Sequence, residues 1–307
     1  MKAGILKALR ESGDYVSGER LSKELGISRV SIWKHIRNLK QDGYEVEASP
    51  TGYRLIFSPD LLLPYEFPGL EHKIHHFGEI GSTMLVAREL AKKGVEEGTI
   101  VIAESQTSGR GRLSREWFSP RGGIYFTIIL KPEISLIYAP RMNLMASVAV
   151  AKAIRKLYGL KAELKWPNDV LIEGKKVCGI LAGMEAEVDA VNFVNLGIGI
   201  NVNASISQYE KAATSLRAEL GREVSRREFL STLLTEIAAQ KSLLTGNGLL
   251  EEWKLLSATL NREVKIVAPG EEITGWAVDI DTSGALIVRG ENGSLRSAIA
   301  GDCIHLR

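Results

Sequence analysis

Gln106-Thr107-Ser108-Gly109-Arg110-Gly111-Arg112, followed by Arg115 and Trp117, joins two apolar runs, Thr99 to Ala103 and Gly123 to Leu130. The runs are rich in β-branched and aromatic residues, so they predict two strands with a loop between them. Glycine lets a backbone come close to a ligand, and the arginine fork grips carboxylates and phosphates at two points. A loop of this composition suits closure over an anion. Taken alone it equally fits a solvated basic hairpin, so the rest of the chain decides.

Downstream stands Lys165-Trp166-Pro167-Asn168-Asp169-Val170, which reads as a strand end, a rigid turn and an Asx-type loop start. Gly174-Lys175-Lys176 looks like a hairpin turn feeding a strand from Val177 to Met184. In Gly197-Ile198-Gly199-Ile200-Asn201 the alternating glycines thin a strand, either where a ligand approaches or for close packing. The spacing is neither a Rossmann nor a Walker fingerprint. Upstream, Gly81-Ser82-Thr83 opens a predicted helix, where a hydroxyl pair can cap the helix or meet a ligand.

Together and in this order, these segments resemble the biotin protein ligases. The motifs cover roughly residues 75 to 205, and the architecture extends the likeness to both ends. The likeness is to the bifunctional form, a biotin–[acetyl-CoA-carboxylase] ligase that is also the biotin operon repressor. It implies that biotin and ATP give biotinyl-5′-adenylate, from which biotin passes to a lysine of the biotin carboxyl carrier protein. Two anions, the biotin carboxylate and the α-phosphate, must meet, so fixed cations are needed. The resemblance assigns that work to Lys176, Arg110 and Arg112. It places biotin against Ser82, Thr83, Gln106, Gly109 and Gly111, with Arg110, Arg112, Lys176 and Gly179. It places ATP against Arg112, Arg115, Trp117, Asn168, Asp169, Lys176 and Asn201. Magnesium accompanies ATP and needs oxygen donors, so Asp169 is the expected metal ligand. The chain departs from the family pattern at Met84, where Asn is usual, and at Leu113-Ser114, where the loop usually has a further glycine.

Composition sets outer limits. The 307 residues exceed one typical domain, and 45% hydrophobic with 25% charged residues indicates a globular protein with a sizeable core. Lys and Arg number 39 against 37 Asp and Glu, a net charge of +2, so any nucleic-acid affinity must be local. Two cysteines, Cys178 and Cys303, without a Cys-x-x-Cys, argue against a disulfide framework or a zinc site. The start has no signal-peptide layout and no apolar run approaches about 18 residues, so a cytoplasmic location without membrane contact is expected.

The local patch exists. Ser17 and Ser28 are candidate caps for helices over Gly18 to Leu25 and on to about Asp42, with Gly26 as the turn between them. Ile32, Ile36 and Leu39, with Trp33 beside them, predict one buried stripe. Arg29, Ser31, Lys34, His35 and Asn38 lie opposite and suit contact with phosphates and base edges. Tyr44 to Leu55 reads as two strands around Ser49-Pro50-Thr51-Gly52, a wing. From Arg20 to Lys40 there are six basic residues and one acid, Glu24. Helix, glycine turn, helix and wing form a helix-turn-helix DNA-binding signature. Pro59, Pro64 and Pro68 then mark a linker.

Beyond a helical region from about Arg226 to Leu256, the chain changes character. Val264 to Ala268, Ile273 to Ile280, Ala285 to Val288 and Ser294 to Leu306 read as strands, with turns at Pro269-Gly270, Asp281 to Gly284 and Glu291 to Gly293. The expected fold is therefore α+β. It comprises a winged helix over 1–62, a central α/β ligase domain of the class II synthetase/biotin ligase type over 63–258, and an SH3-like β-barrel over 259–307. The resemblance also implies a homodimer that binds operator DNA with the adenylate as corepressor. Two other functions compete: a lipoate-type ligase, against which the Gly-Arg-Gly-Arg loop and winged helix speak, and a non-enzymatic ligand-sensing regulator, against which Lys176, Arg110, Arg112 and Asp169 speak.

Overall fold

The computed structural model describes residues 1–187, 190–206, 209–268 and 270–306. They divide into two compact units, Met1–His72 and Lys73–Arg307.

In the first unit, helix α1 (Lys2–Ser12) precedes α2 (Gly18–Leu25) and α3 (Arg29–Gln41). Ser17 accepts from the Arg20 amide and Ser28 from the Ser31 amide, so both expected caps are present. Gly26 ends α2 with φ at 66°, a left-handed turn that suits glycine. Strands β1 (Glu45–Ser49) and β2 (Gly52–Phe57) form the antiparallel wing. The core gathers Ile5, Leu6, Leu9, Val16 and Leu21 with Ile32, Ile36, Leu39, Tyr44 and Val46. Trp33 is not part of it. The residue is 51% exposed because helical spacing carries position 33 away from the stripe of Ile32, Ile36 and Leu39. The proline-rich stretch is not a free tether either. Pro64–Glu66 forms a short 3₁₀ turn whose Glu66 carboxylate takes both Arg10 guanidinium nitrogens at 2.7 Å and the Tyr44 hydroxyl. That buried carboxylate keeps this stretch packed on α1.

The second unit is built on a seven-stranded sheet in the order β3-β4-β5-β9-β8-β7-β6. Its strands are β3 (Ile74–Phe77), β4 (Ile100–Ala103), β5 (Ile124–Leu130), β6 (Ala162–Lys165), β7 (Asp169–Ile172), β8 (Lys175–Glu187) and β9 (Ala190–Ile200). Helices alternate with strands as expected, yet only the β3–β4 pair is parallel. The hairpins around Gly174 and between β8 and β9 need no crossover, which makes those neighbours antiparallel. Helices α4 (Thr83–Lys92) and α5 (Arg141–Tyr158) cover the sheet, and α7 (Arg226–Lys241) and α8 (Gly248–Leu256) pack on α5. A shorter helix, α6 (Leu216–Leu220), lies between β9 and α7.

The C-terminal part is a five-stranded antiparallel sheet of β10 (Arg262–Ala268), β11 (Glu271–Ile280), β12 (Leu286–Arg289), β13 (Leu295–Ala298) and β14 (Asp302–His305). The last expected strand, Ser294 to Leu306, is split at Gly301, whose φ of 139° turns the chain from β13 into β14. Pro269 of the expected Pro269-Gly270 turn lies outside the described residues. Two buried donors tie this sheet to the central one. Arg141 donates to the carbonyls of Thr282, Leu244 and Gly246, and the Trp166 indole donates to the Gly284 carbonyl at 3.2 Å.

His305 adds a pH dependence. Its Nε2 lies 3.1 Å from the Thr259 hydroxyl. Burial, and then the neighbouring Lys165 and Arg262, lower its pKa from 6.5 to about 4. The folded state thus disfavours the imidazolium, so stability is held above pH 6.5 and lost as pH falls from there towards about 4. Melting temperatures at pH 7 and pH 4.5 are expected to fall further for wild type than for His305→Asn. Equal falls would exclude His305 as the acid-sensitive group.

Candidate functional site

A cavity of about 750 Å³ opens where the arginine loop, β8 and β9 meet. The loop is a zipped hairpin. The Gly111 amide donates to the Arg115 carbonyl at 2.8 Å and the Trp117 amide to the Gly109 carbonyl at 2.9 Å. On the other side, the Thr107 and Ser108 amides donate to the Ile80 and Gly81 carbonyls at 2.9 Å. A side chain on Gly109 would collide with the Trp117 carbonyl, its Cβ lying 2.4 Å away.

Gln106 organises the loop root. Its Oε1 accepts from the Thr83 amide at 2.8 Å and the Thr83 hydroxyl at 3.1 Å, while its Nε2 donates to the Ser119 hydroxyl at 2.9 Å. The first turn of α4 is therefore capped by Gln106. The expected hydroxyl cap is absent, since Ser82 is buried and makes no side-chain capping bond. Thr83 also accepts from the Thr127 hydroxyl at 2.9 Å. Ser82, Thr83 and Gln106 line one end of the cavity together with Phe126, Leu181 and Ile198. That end is apolar with a polar rim.

Charge collects at the other end, where Arg110, Arg112, Arg115, Lys176 and Asp169 all line the cavity. Lys176 Nζ sits 2.6 Å from an Asp169 carboxylate oxygen and 5.3 Å from the centre of the Trp117 ring. Arg112 donates to Asn168 Oδ1 at 3.3 Å and to the Gly301 carbonyl at 3.1 Å. Burial pulls the Arg112 guanidinium below its ordinary pKa, and Asp302 and Asp169 oppose that shift. Arg115 pairs with Asp302. Gly301 and Asp302 belong to the C-terminal sheet, so this sheet clamps two of the three loop arginines. Sequence spacing held no signal for that, because 189 positions separate Arg112 from Gly301.

Several expected ligand contacts turn out to be engaged within the protein. Asn168 Nδ2 donates to the Ile180 carbonyl at 2.7 Å, and Asn201 Nδ2 to the Thr214 carbonyl at 3.0 Å. The two glycines of β9 are packed against side chains. A Cβ on Gly199 would lie 2.3 Å from the Trp117 indole nitrogen, and one on Gly197 would lie 2.6 Å from the Met84 sulfur. Met84, the departure from the family pattern, thus fills the groove over β9. Trp117 Nε1 is buried with no partner, an unused donor in the cavity wall beside Gly179 and Gly199. Leu113 and Ser114 hold left-handed φ values of 53° and 58°, a strain that glycine would relieve. Phe118 and Tyr209, neither of them anticipated, line the cavity with ring centres 3.8 Å apart and planes tilted by 34°.

Asp169 is the expected magnesium ligand. Asp169 is already neutralised by Lys176, and among the described residues no group of three or more His, Cys, Asp or Glu could hold a metal. A cation that entered with a triphosphate would bring phosphate and water as its main ligands.

In the first unit, α3 presents Arg29, Lys34 and Asn38 to solvent. The other two expected contacts are compromised. The Ser31 hydroxyl lies 3.0 Å from that of Ser28 in the cap, and His35 is half-buried, its pKa lowered by burial and by the amino terminus and Lys2. Val30 and Trp33, 63% and 51% exposed, stand on the outer face instead.

Comparison with known proteins shows the family of the chain. Residues 79–203 match the biotin/lipoate A/B protein ligase family, 3–54 match the HTH domain and 259–306 match the biotin protein ligase C terminal domain. The bifunctional ligase/repressor BirA of Bacillus subtilis is 41% identical over 248 residues, 76% of each chain. Its Escherichia coli counterpart is 31% identical over 309 residues, covering 97% of this chain and 95% of that one. The biotin protein ligase from Aquifex aeolicus, solved with biotin and ATP, superposes with a TM-score of 0.66 at 30% identity. That match covers 76% of this chain and 98% of the other. No helix among the described residues is long and apolar enough to cross a membrane.

Proposed function

The chain belongs to the bifunctional biotin ligase/repressor family, and from that premise we propose how its own residues divide the work. It is a biotin–[acetyl-CoA-carboxylase] ligase with a DNA-binding repressor unit. Biotin and ATP are its substrates, and a biotin carboxyl carrier protein is the acceptor. One observation carries the site assignment: a single cavity is lined by Thr83, Gln106 and Phe126 and also by a charged set in which Arg110, Arg112, Arg115 and Lys176 stand among Glu116, Asp169, Glu210 and Asp302. Biotin needs the first for its fused rings and ureido group and the second for its carboxylate.

In the first step the biotin carboxylate oxygen attacks the α-phosphorus of ATP and pyrophosphate leaves. The five-coordinate phosphorus carries extra negative charge, which Lys176 and the loop arginines offset. Asp169 holds Lys176 on the reacting side by its ion pair. Trp117 Nε1, buried without a partner, is free to donate to the nucleotide. In the second step the acceptor lysine attacks the acyl carbon, forming an amide as AMP departs. Arg115, tied to Asp302, acts on the loop rather than on the phosphates. Adenylate binding would favour a homodimer with paired winged helices on a two-fold operator.

The test is transfer of labelled biotin, with ATP, to a purified carrier domain, run beside labelled lipoate. Biotin transfer with release of AMP is expected. Lipoate transfer without biotin transfer would overturn the substrate assignment.

A further inference from the structure

Val30 and Trp33 are two large apolar residues that the first unit leaves in solvent, at 63% and 51% exposure. They stand three positions apart on α3, one turn from its N-terminus, so they share a face. That face is otherwise cationic, since Arg29, Lys34 and Arg37 surround the pair and the Arg37 guanidinium lies 5.8 Å from the Trp33 ring centre. Opposite them stands the wing tip. Val30, Trp33 and Arg29 wall a cleft of about 490 Å³ whose other sides are Ser49-Pro50-Thr51-Gly52 of the wing and Ser17-Gly18-Glu19, the last its one acidic residue. The unit buries ten other hydrophobic side chains in one core, so this exposure is not a shortage of interior.

An apolar strip inside a positive rim complements one partner chemistry closely. The major groove of DNA has anionic walls, and the apolar features of its floor are thymine methyl groups. A recognition helix meets base edges with its N-terminal residues, where Val30 and Trp33 sit. We propose that Val30 and Trp33 are specificity-determining residues that read thymine 5-methyl groups, while Arg29, Lys34 and Arg37 hold the phosphates. This rests on the repressor reading above and adds to it the feature of the base that is recognised.

The experiment uses the full chain with biotin and ATP. Binding sites are first selected from random duplexes, and the best site is then synthesised with uracil in place of thymine at each position, which removes only the methyl group. Loss of about three- to five-fold in affinity is expected at one or two positions per half-site, the worth of one buried methyl. Trp33→Ala should lose the thymine preference at the position Trp33 reads and keep it where Val30 reads, and Val30→Ala with Trp33→Ala should bind the thymine and uracil duplexes equally. Lys34→Ala should weaken both alike and flatten the salt dependence. Biotin transfer and melting temperature, measured on Trp33→Ala, verify that the chain is folded. Uracil substitution without effect on wild type overturns the proposal while leaving sequence-selective DNA binding intact. Failure to enrich any sequence overturns the repressor reading with it. Loss of dimerisation in Trp33→Ala, with unchanged thymine preference at equal dimer concentration, would reassign the face to a second copy of the chain.

Discussion

Lys176→Ala is expected to lower the rate of biotinyl-adenylate formation by about 100- to 1,000-fold, the usual consequence of removing one fixed stabiliser of transition-state charge. Two effects combine. The ammonium proposed to offset charge on the phosphorus is gone, and the Asp169 carboxylate it held at 2.6 Å is left as an unbalanced negative charge in the same cavity. The second effect can be separated from the first. Lys176→Ala combined with Asp169→Asn should recover part of the loss, whereas Asp169→Asn alone should cost less than Lys176→Ala because the cation remains. Pyrophosphate exchange in the presence of biotin reads the first step without the carrier protein. Biotin affinity without ATP, measured by calorimetry, should change much less than the rate, since the charge in question develops only as the phosphorus becomes five-coordinate. A rate within a few-fold of wild type would remove Lys176 from the chemistry.

The prominence of Lys176 in the sequence, against the invisibility of its surroundings, shows where sequence reasoning stops. Caps, periodicity and glycine turns act within a few residues, so Ser17, Ser28, Gly26 and the wing were legible. The order of the motifs carried the family. The partners within the site were less visible, because they depend on pairings across the sheet. Gln106 reads as a biotin ligand and lines the cavity, and the structure adds a second task, the cap of α4, with both ends of its amide engaged. Asn168 and Asn201 looked like nucleotide contacts and are bonded to backbone carbonyls. Arg115 looked like a phosphate contact and pairs with Asp302 from the far end of the chain. In each case a polar residue type suited to ligands also suits a loop that must be held still. Trp33 failed for a different reason. Hydrophobicity assigned it to the core, while helical geometry puts it outside.

Breaking the ion pair beneath the loop root should have the largest effect on stability. Arg226 begins α7, and its Nη1 lies 2.8 Å from Glu104 Oε2 and donates to the Gly123 carbonyl at 2.9 Å. His76 Nε2 lies 2.9 Å from the other Glu104 oxygen. The Arg226 and Glu104 side chains are 4% and 3% exposed, so neither charge can turn to water if its partner is removed. Removing one member of such a pair typically costs about 3–5 kcal/mol, whereas replacing both can be nearly neutral. Arg226→Met is therefore expected to lower the melting temperature by roughly 10 °C, taking about 2–4 °C per kcal/mol for a unit of this size. Arg226→Met with Glu104→Gln should restore a substantial part, and the coupling from that cycle gives the interaction between the two sites. Activity should fall with stability, for Glu104 lies two residues before Gln106 and its amide joins β4 to the Phe77 carbonyl at 3.0 Å. A loosened Glu104 lets the root of the arginine loop shift against α4, and the Gln106–Thr83 cap goes with it. A melting temperature within a degree or two of wild type for the single variant would show that the buried pair holds neither the fold nor the loop.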